Sequence, residues 1–488
     1  MWLAGFLEKI TCSCINTNKQ LMVISEKIGL KEKIGYGLGG AASAIFWKLF
    51  SMYLMFFYTD IFGLPAVVVG TMFLVTRIWD AAFDPFVGIL ADRTETRWGK
   101  FRPYLLWMMV PFGIMGVITF STPDFGPNGK IIYAYTTYSL MMMVYSLINV
   151  PYSSLMGVMS ADGRERTSLA TFRFALAFAG SMLVLALAKP LADVFSSMTG
   201  GAENLKFGWQ MATVVFALVS IVLFWIAFLW TRERVRPVSE KTSLKLDLKD
   251  LWANRPWFIL LGAGIAAIFF NSIRDGAAMY YFKYYIPNQE AFQMTLFGHT
   301  FDTLSSVYFV LGQAANIAGV VLAIPVSNRL GKKGTFLTAM LLATIFSMYF
   351  YFIDRNSTTQ IFVMQFLISL CAGITFPLIW SMYADTADYS EWRTKRRATG
   401  LIFSASSMSQ KIGWTIGGAL VGWLLGYYGF QANVEQTETA QHGIRMMLSF
   451  YPAVGTLFGV GFMMIYPLNE KMMRKISTEL AEWRDKQG

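Results

Sequence analysis

Arg77, Asp80 and Asp84 stand in the stretch Arg77-Ile-Trp-Asp80-Ala-Ala-Phe-Asp84-Pro85. Their spacing, i, i+3 and i+7, puts all three on one face of a helix. The stretch lies inside an apolar run, 65–91, that is long enough to cross a bilayer. A charged group at that depth costs several kcal/mol unless it faces protein or a water-filled cavity. Pro85 has no N–H, so the carbonyl of Ala81 loses its helical partner. Two carboxylates and a free carbonyl beside one guanidinium make a composition suited to Na+ or H+. A packing salt bridge explains less, because one Arg neutralises only one of two Asp.

These residues need a membrane scaffold, and composition supplies one. The 488 residues are 55% hydrophobic, 16% aromatic and only 15% charged, against about a quarter charged in a soluble domain. The class expected is an all-α polytopic membrane protein. Spans are read at 34–57, 65–91, 102–121, 131–156, 168–197, 207–230, 257–286, 302–328, 334–353, 359–384, 399–427 and 443–467, twelve in all. The segments 92–102, 157–167, 232–256, 329–333 and 385–398, with the tail from 468, hold 25 Lys and Arg, whereas the opposite loops hold Lys130, Lys206 and Arg355. The positive-inside rule then makes both termini cytoplasmic. The net charge of +11 is thus a topology signal and not a nucleic-acid patch. Cys12, Cys14 and Cys371 give no disulfide framework and no zinc set, and His299 and His442 fall in expected loops. The first 25 residues do not read as a signal peptide, and Met22 is a candidate start.

The polar segment 232–256 splits the chain into two sets of six spans. Residues 1–33 are expected as a cytoplasmic N-terminal segment and 34–230 as the first six-helix bundle. Residues 231–256 form the inter-domain loop, 257–467 the second bundle and 468–488 a cytoplasmic tail. The end of span 2, Gly88-Ile-Leu-Ala-Asp92-Arg93, echoes the end of span 8, which reaches Asn328-Arg329. In that register Arg77 corresponds to Gln313 and Asp80 to Asn316. The halves read as a duplicated unit whose polar site survives, uncharged, in the second copy. Arg77, Asp92, Arg93 and Asn316 are therefore read as gating or structural residues.

Spans 3, 6, 9 and 12 carry no ionisable residue in their interiors and are expected to face lipid. The others enclose a polar pathway holding Lys48, Arg77, Arg173, Arg274 and Lys411 against Asp80, Asp84 and Asp275. Five cations against three anions leave two positive charges for a ligand to balance. Lys48 and Arg274 occupy equivalent depths on spans 1 and 7, where an acidic sugar, a uronide or a sulfonated sugar, would find both. Trp380 and Trp414 are candidates to stack on a sugar ring. Gly413, Gly417, Gly418, Gly422 and Gly426 on span 11 permit close helix contact.

Three stretches extend the reading: Met52-Tyr-Leu-Met-Phe-Phe-Tyr-Thr-Asp60, Gly70 through Pro85, and Arg97-Trp-Gly-Lys-Phe-Arg-Pro103. Together with Ala384-Asp-Thr-Ala-Asp-Tyr-Ser-Glu391, they resemble the glycoside–pentoside–hexuronide:cation symporters, the melibiose permease family. The resemblance covers nearly the whole chain from about residue 30. It implies the major facilitator fold, two pseudo-symmetric six-helix bundles alternating access to a central site, and sugar uptake driven by Na+, Li+ or H+. The family's paired cation-binding aspartates match Asp80 and Asp84, and its helix-4 hydroxyl matches Ser146. Its helix-5 arginine matches Arg173, and its helix-11 lysine matches Lys411. Phe83 replaces the asparagine that melibiose permease has between the aspartates. Ala44 and Asn149 replace its two galactoside-binding aspartates.

The expected function is symport of a sugar or glycoside. The cation site is Asp80, Asp84 and Ser146, with Asp80 and Asp84 as the metal ligands if the ion is Na+. The substrate site is Lys48, Asn149, Arg173, Arg274, Trp380 and Lys411. Alternatives are a neutral di- or oligosaccharide symporter, a lysophospholipid symporter and a non-transporting sensor. An enzyme is disfavoured, because no His pair, Ser/His set or phosphate loop occurs on the polar spans. Expected partners are the sugar, the cation and the lipid bilayer, with no cofactor and no nucleic acid. The expected state is a monomer in the cell's inner membrane.

Overall fold

Inside a bilayer every backbone N–H and C=O must be satisfied within the protein, so a chain of apolar runs folds as helices. The computed structural model describes residues 28–160, 163–198, 204–234, 251–286, 293–296, 299–302, 304–395 and 399–485. Cys12, Cys14, Met22 and most of the expected inter-domain loop lie outside them. The helices are α1 (Leu30–Leu49), α2 (Ala66–Arg93), α3 (Arg102–Thr119), α4 (Pro127–Met159), α5 (Gly163–Met198), α6 (Leu205–Trp230) and α7 (Arg255–Tyr280). Helical structure runs unbroken over Leu304–Phe350 except at Gly331, whose φ of 74° no other residue adopts cheaply. We number the limbs α8 (304–330) and α9 (332–350). They are followed by α10 (Thr358–Thr394), α11 (Thr399–Tyr427), α12 (Glu438–Leu448), α13 (Phe450–Met464) and α14 (Glu470–Asp485).

Among the described residues, 8 helices are long and apolar enough to cross a membrane. One of these is the α8–α9 pair, and another is α12 with α13. Adding α1, α2 and α11 gives the twelve expected crossings. Those three are the helices that carry Lys48, the Arg77–Asp84 group and Lys411. Helices α3, α6, α9 and α13 each leave large apolar side chains exposed, among them Ile114, Leu218, Ile345 and Phe458, as lipid-facing helices must.

Several sequence expectations need correction. Span 12 is not continuous, because it breaks at Ser449 (φ −123°, ψ −85°). Pro452 cannot donate to the carbonyl of Leu448, and the Arg274 guanidinium supplies that bond instead. His442 lies in α12 and not in a loop, because Thr437 caps that helix by accepting from Ala440 N–H. Within 287–303, the strands Gln293–Leu296 and His299–Asp302 pair as a short antiparallel hairpin. The tail folds as α14, whose Ile476 and Leu480 are buried and whose Glu479 accepts from Trp392 Nε1 at 2.6 Å.

In the first half α1 packs on α5 and α6, α3 on α4 and α6, and α2 on α4; in the second, α7 packs on α10, α11 and α13. The halves meet through α2 against α11 and through α5 against the α8–α9 pair. The α2–α11 approach is close because both sides are glycine. A Cβ on Gly422 would lie 2.5 Å from Ala66 O and 2.8 Å from Gly70 Cα. At the end away from the termini, α1 continues as π-helical turns at Phe50–Leu54 and Phe57–Ile61, and α7 as one at Tyr281–Tyr285. There Thr59 Oγ1 is 2.8 Å from Tyr280 OH. Asp60 accepts from Lys283 Nζ at 2.7 Å and from Tyr284 OH. Asn433 Nδ2 donates to the carbonyl of Asp60 at 2.6 Å. At the terminal end, ion pairs lie within each half: Glu32 with Arg234 and Lys33 with Glu165 in the first, Lys332 with Asp385 in the second.

Candidate functional site: a paired-carboxylate centre between two bundles

Helix α2 runs through Pro85 without ending, and this keeps Asp80 and Asp84 one turn apart on the same face. Ser146 of α4 meets them there: its Oγ is 2.8 Å from Asp80 Oδ1 and 2.7 Å from Asp84 Oδ1. A hydroxyl has one proton, so it donates to one carboxylate at a time. Lys411 of α11, from the other half, places Nζ 3.4 Å from Asp80 Oδ2 and in contact with Asp84 Oδ2. Arg77 Nη1 is 3.8 Å from Asp80 Oδ2; its guanidinium lies 4.6 Å over the Trp47 ring, and Nη1 has no hydrogen-bond acceptor among the described residues. Two anions and two cations make the centre neutral as it stands. The ammonium of Lys411 thus lies against both carboxylates, at the place a small cation bridging them would take. Phe83 packs against Phe86, ring centroids 5.6 Å apart and tilted, and its side chain carries no donor atom for a cation.

The expected substrate residues are distributed around this centre. Asn149 Oδ1 accepts from Ser43 Oγ at 2.6 Å. Arg173 Nη2 donates to Ser153 Oγ at 3.2 Å, and its guanidinium lies 4.9 Å over the Tyr152 ring. Lys48 is ion-paired at 2.7 Å with Asp275 of the other half. Arg274 is buried; it donates to Leu448 O, to Tyr308 OH at 3.1 Å and to Gln365 Oε1 at 2.8 Å. Trp380 packs against Tyr383 at 5.9 Å in the second half's core. Trp414 meets Trp47 edge-on at 6.0 Å. Both tryptophans line a cavity with Arg77, Tyr138 and Ser272. Asp92 and Arg93 close α2, and Arg93 is exposed. Asn316 lines a second cavity, between the two halves.

Sequence reasoning singled out neither Ser43 nor Trp47, and it counted Asp275 only as a charge. Each is ordinary in its own helix. The signal that could have found Asp275 is its place beside Arg274 at the depth of Lys48.

The model of the MFS/sugar transport protein family matches residues 35–470. The chain is 38% identical to the inner membrane symporter YicJ of Escherichia coli strain K12, covering 94% of this chain and 96% of that one. It is 34% identical to the isoprimeverose transporter of Lactiplantibacillus pentosus, covering 92% of each. It is 31% identical to the glucuronide carrier protein homolog of E. coli strain K12, covering 94% and 96%. Among solved structures, a bacterial homolog of the human lysosomal transporter Spinster superposes with a TM-score of 0.63 at 14% identity, covering 90% of this chain and 95% of that one; this shares the fold alone. The chain belongs to the MFS/sugar transport protein family. It is an integral membrane transporter of the major facilitator fold and not an enzyme.

Proposed function

We propose that this protein takes up a glycoside by alternating access, coupled to Na+ or H+ at Asp80, Asp84 and Ser146, and that its preferred substrate is an acidic sugar. The paired carboxylates held by Lys411 of the opposite half carry the coupling reading. A cation that displaces the ammonium changes a contact between the bundles as it binds, so ion binding and bundle movement are linked in one event. In this reading 34–230 and 257–467 are the rocking units and both termini are cytoplasmic. The Asp60 end then faces the periplasm of an inner membrane and is closed.

The acidic preference rests on charge. Asp80, Asp84 and Asp275 are matched by Lys411, Arg77 and Lys48, while Arg173 and Arg274 donate to neutral acceptors among the described residues. Arg274 is committed to the α12–α13 break. Arg173, bonded to Ser153 one turn beyond Asn149 on α4, is the cation with donors to spare for a carboxylate or sulfonate. A neutral glycoside is the second reading. The Lys48–Asp275 pair favours it, since it removes Lys48 from the charge excess, and a relative named for isoprimeverose accords with it.

The test is uptake by right-side-out vesicles of uronide, sulfonated and neutral sugars under separate Na+ and proton gradients. A uronide or sulfonated sugar should accumulate, under one gradient more than the other. Accumulation of neutral sugars alone removes the acidic preference, and no gradient-driven accumulation of any sugar removes the symporter reading.

A further inference from the structure

The duplicated register pairs Arg77 and Asp80 of α2 with Gln313 and Asn316 of α8. Both amides line a cavity bounded by α1, α7, α8 and α10, together with Asn271, Gln365 and Ser369. Gln313 and Ser369 are each only 7% exposed, and neither side chain has a hydrogen-bond partner among the described residues. Asn316 Oδ1 is buried and has no donor. A buried amide oxygen left unmatched is costly, and with two further unpaired polar side chains along the same wall it stands where a core helix would carry apolar residues. The charges nearby are already spent: Lys48 and Asp275 bind each other, and Arg274 is held by three acceptors. Among the described residues of this lining no carboxylate is free to hold a cation, so the wall is built for a neutral ligand that both donates and accepts. Amides and a hydroxyl facing a sugar's hydroxyl groups fit that description, and the rings of Phe270, Tyr308 and Phe309 on the same cavity suit the apolar face of a pyranose.

We propose that this cavity is a second sugar subsite, which holds the ring of a disaccharide glycoside remote from the one bound at Ser43, Asn149 and Arg173. The proposal rests on the glycoside reading above and is independent of the acidic preference. Lys48 links the two places: it lies five residues beyond Ser43 on α1, about 7.5 Å along the helix and so roughly one sugar residue away. In this closed-outside arrangement the cavity measures about 40 Å³, room for a few waters, with the Lys48–Asp275 bridge at its edge. The subsite therefore belongs to the arrangement opened toward the periplasm. It contracts as the halves close there and helps release the sugar inward.

The experiment titrates the purified full-length protein with paired probes, each disaccharide against the methyl glycoside of its non-reducing ring. The pairs are isoprimeverose with methyl α-xyloside, melibiose with methyl α-galactoside, and cellobiose with methyl β-glucoside. At least one disaccharide should bind at least tenfold tighter than its partner. Gln313→Ala and, separately, Asn316→Ser should bring that ratio toward one, and the shorter amide of Gln313→Asn should retain part of it. Melting curves of each variant show whether it is folded. The subsite is overturned if no pair shows a disaccharide advantage, or if the ratio survives both substitutions. Methyl glycoside binding without a disaccharide advantage leaves the symporter reading standing and removes only the subsite.

Discussion

Asp80 and Asp84 were legible because a carboxylate inside a hydrocarbon-length run has no structural excuse, and spacing alone puts them on one face. The geometry adds what spacing cannot carry, the partner of each charge. Lys48 reads as an unpaired cation in one dimension. Its partner, Asp275, lies 227 residues away and becomes visible only when the halves are docked. Arg274 reads as a substrate cation in the sequence; in the structure its guanidinium also supplies the bond to Leu448 O that Pro452 cannot make. Removing one member of a partly buried pair leaves the other desolvated and alone, whereas removing both costs less. Lys48→Ala should therefore lower the melting temperature of the purified protein. Lys48→Ala combined with Asp275→Ala should recover part of the loss. A double variant less stable than either single one contradicts the pairing.

At the scale of elements, twelve spans and their order followed from hydropathy, and the glycines of α11 correctly announced a close helix contact. The partner of that contact, α2, did not follow, because a glycine stripe says nothing of what lies against it. The break at Ser449 was missed because the apolar end of α12, Met446-Met447-Leu448, runs across Ser449 straight into the apolar residues of α13. The π-helical ends of α1 and α7 have no sequence period of their own, yet they carry the closure away from the termini. Asp60 is buried there, with the ammonium of Lys283 and the hydroxyl of Tyr284 both directed at it. Asp60→Asn removes the charge that holds both. This variant is expected to favour the arrangement open at that end. In a background without native cysteines, Ser51→Cys on the cavity wall should react faster with an impermeant maleimide applied from outside. An unchanged rate contradicts the latch.

For the whole molecule, the halves touch where function needs them coupled: α2 against α11 brings Lys411 to the carboxylates, and α1 against α7 closes the far end. The site thus lies in the interface and not in either bundle. This is why duplication and charge balance pointed to its depth while its pairings stayed hidden. In the proposed mechanism ion binding displaces Lys411 from the carboxylates it contacts, and that displacement loosens one half from the other. One charge crossing 100 mV carries about 2.3 kcal/mol, equivalent to about 50-fold accumulation, so coupling at this centre is worth measuring directly. The decisive measurement is uphill uptake against facilitated exchange in proteoliposomes bearing wild type, Asp80→Asn or Asp84→Asn, under an imposed ion gradient and membrane potential. Loss of accumulation in both variants with exchange retained is the predicted result. A variant that still concentrates substrate like wild type would show that its carboxylate is not the coupling site.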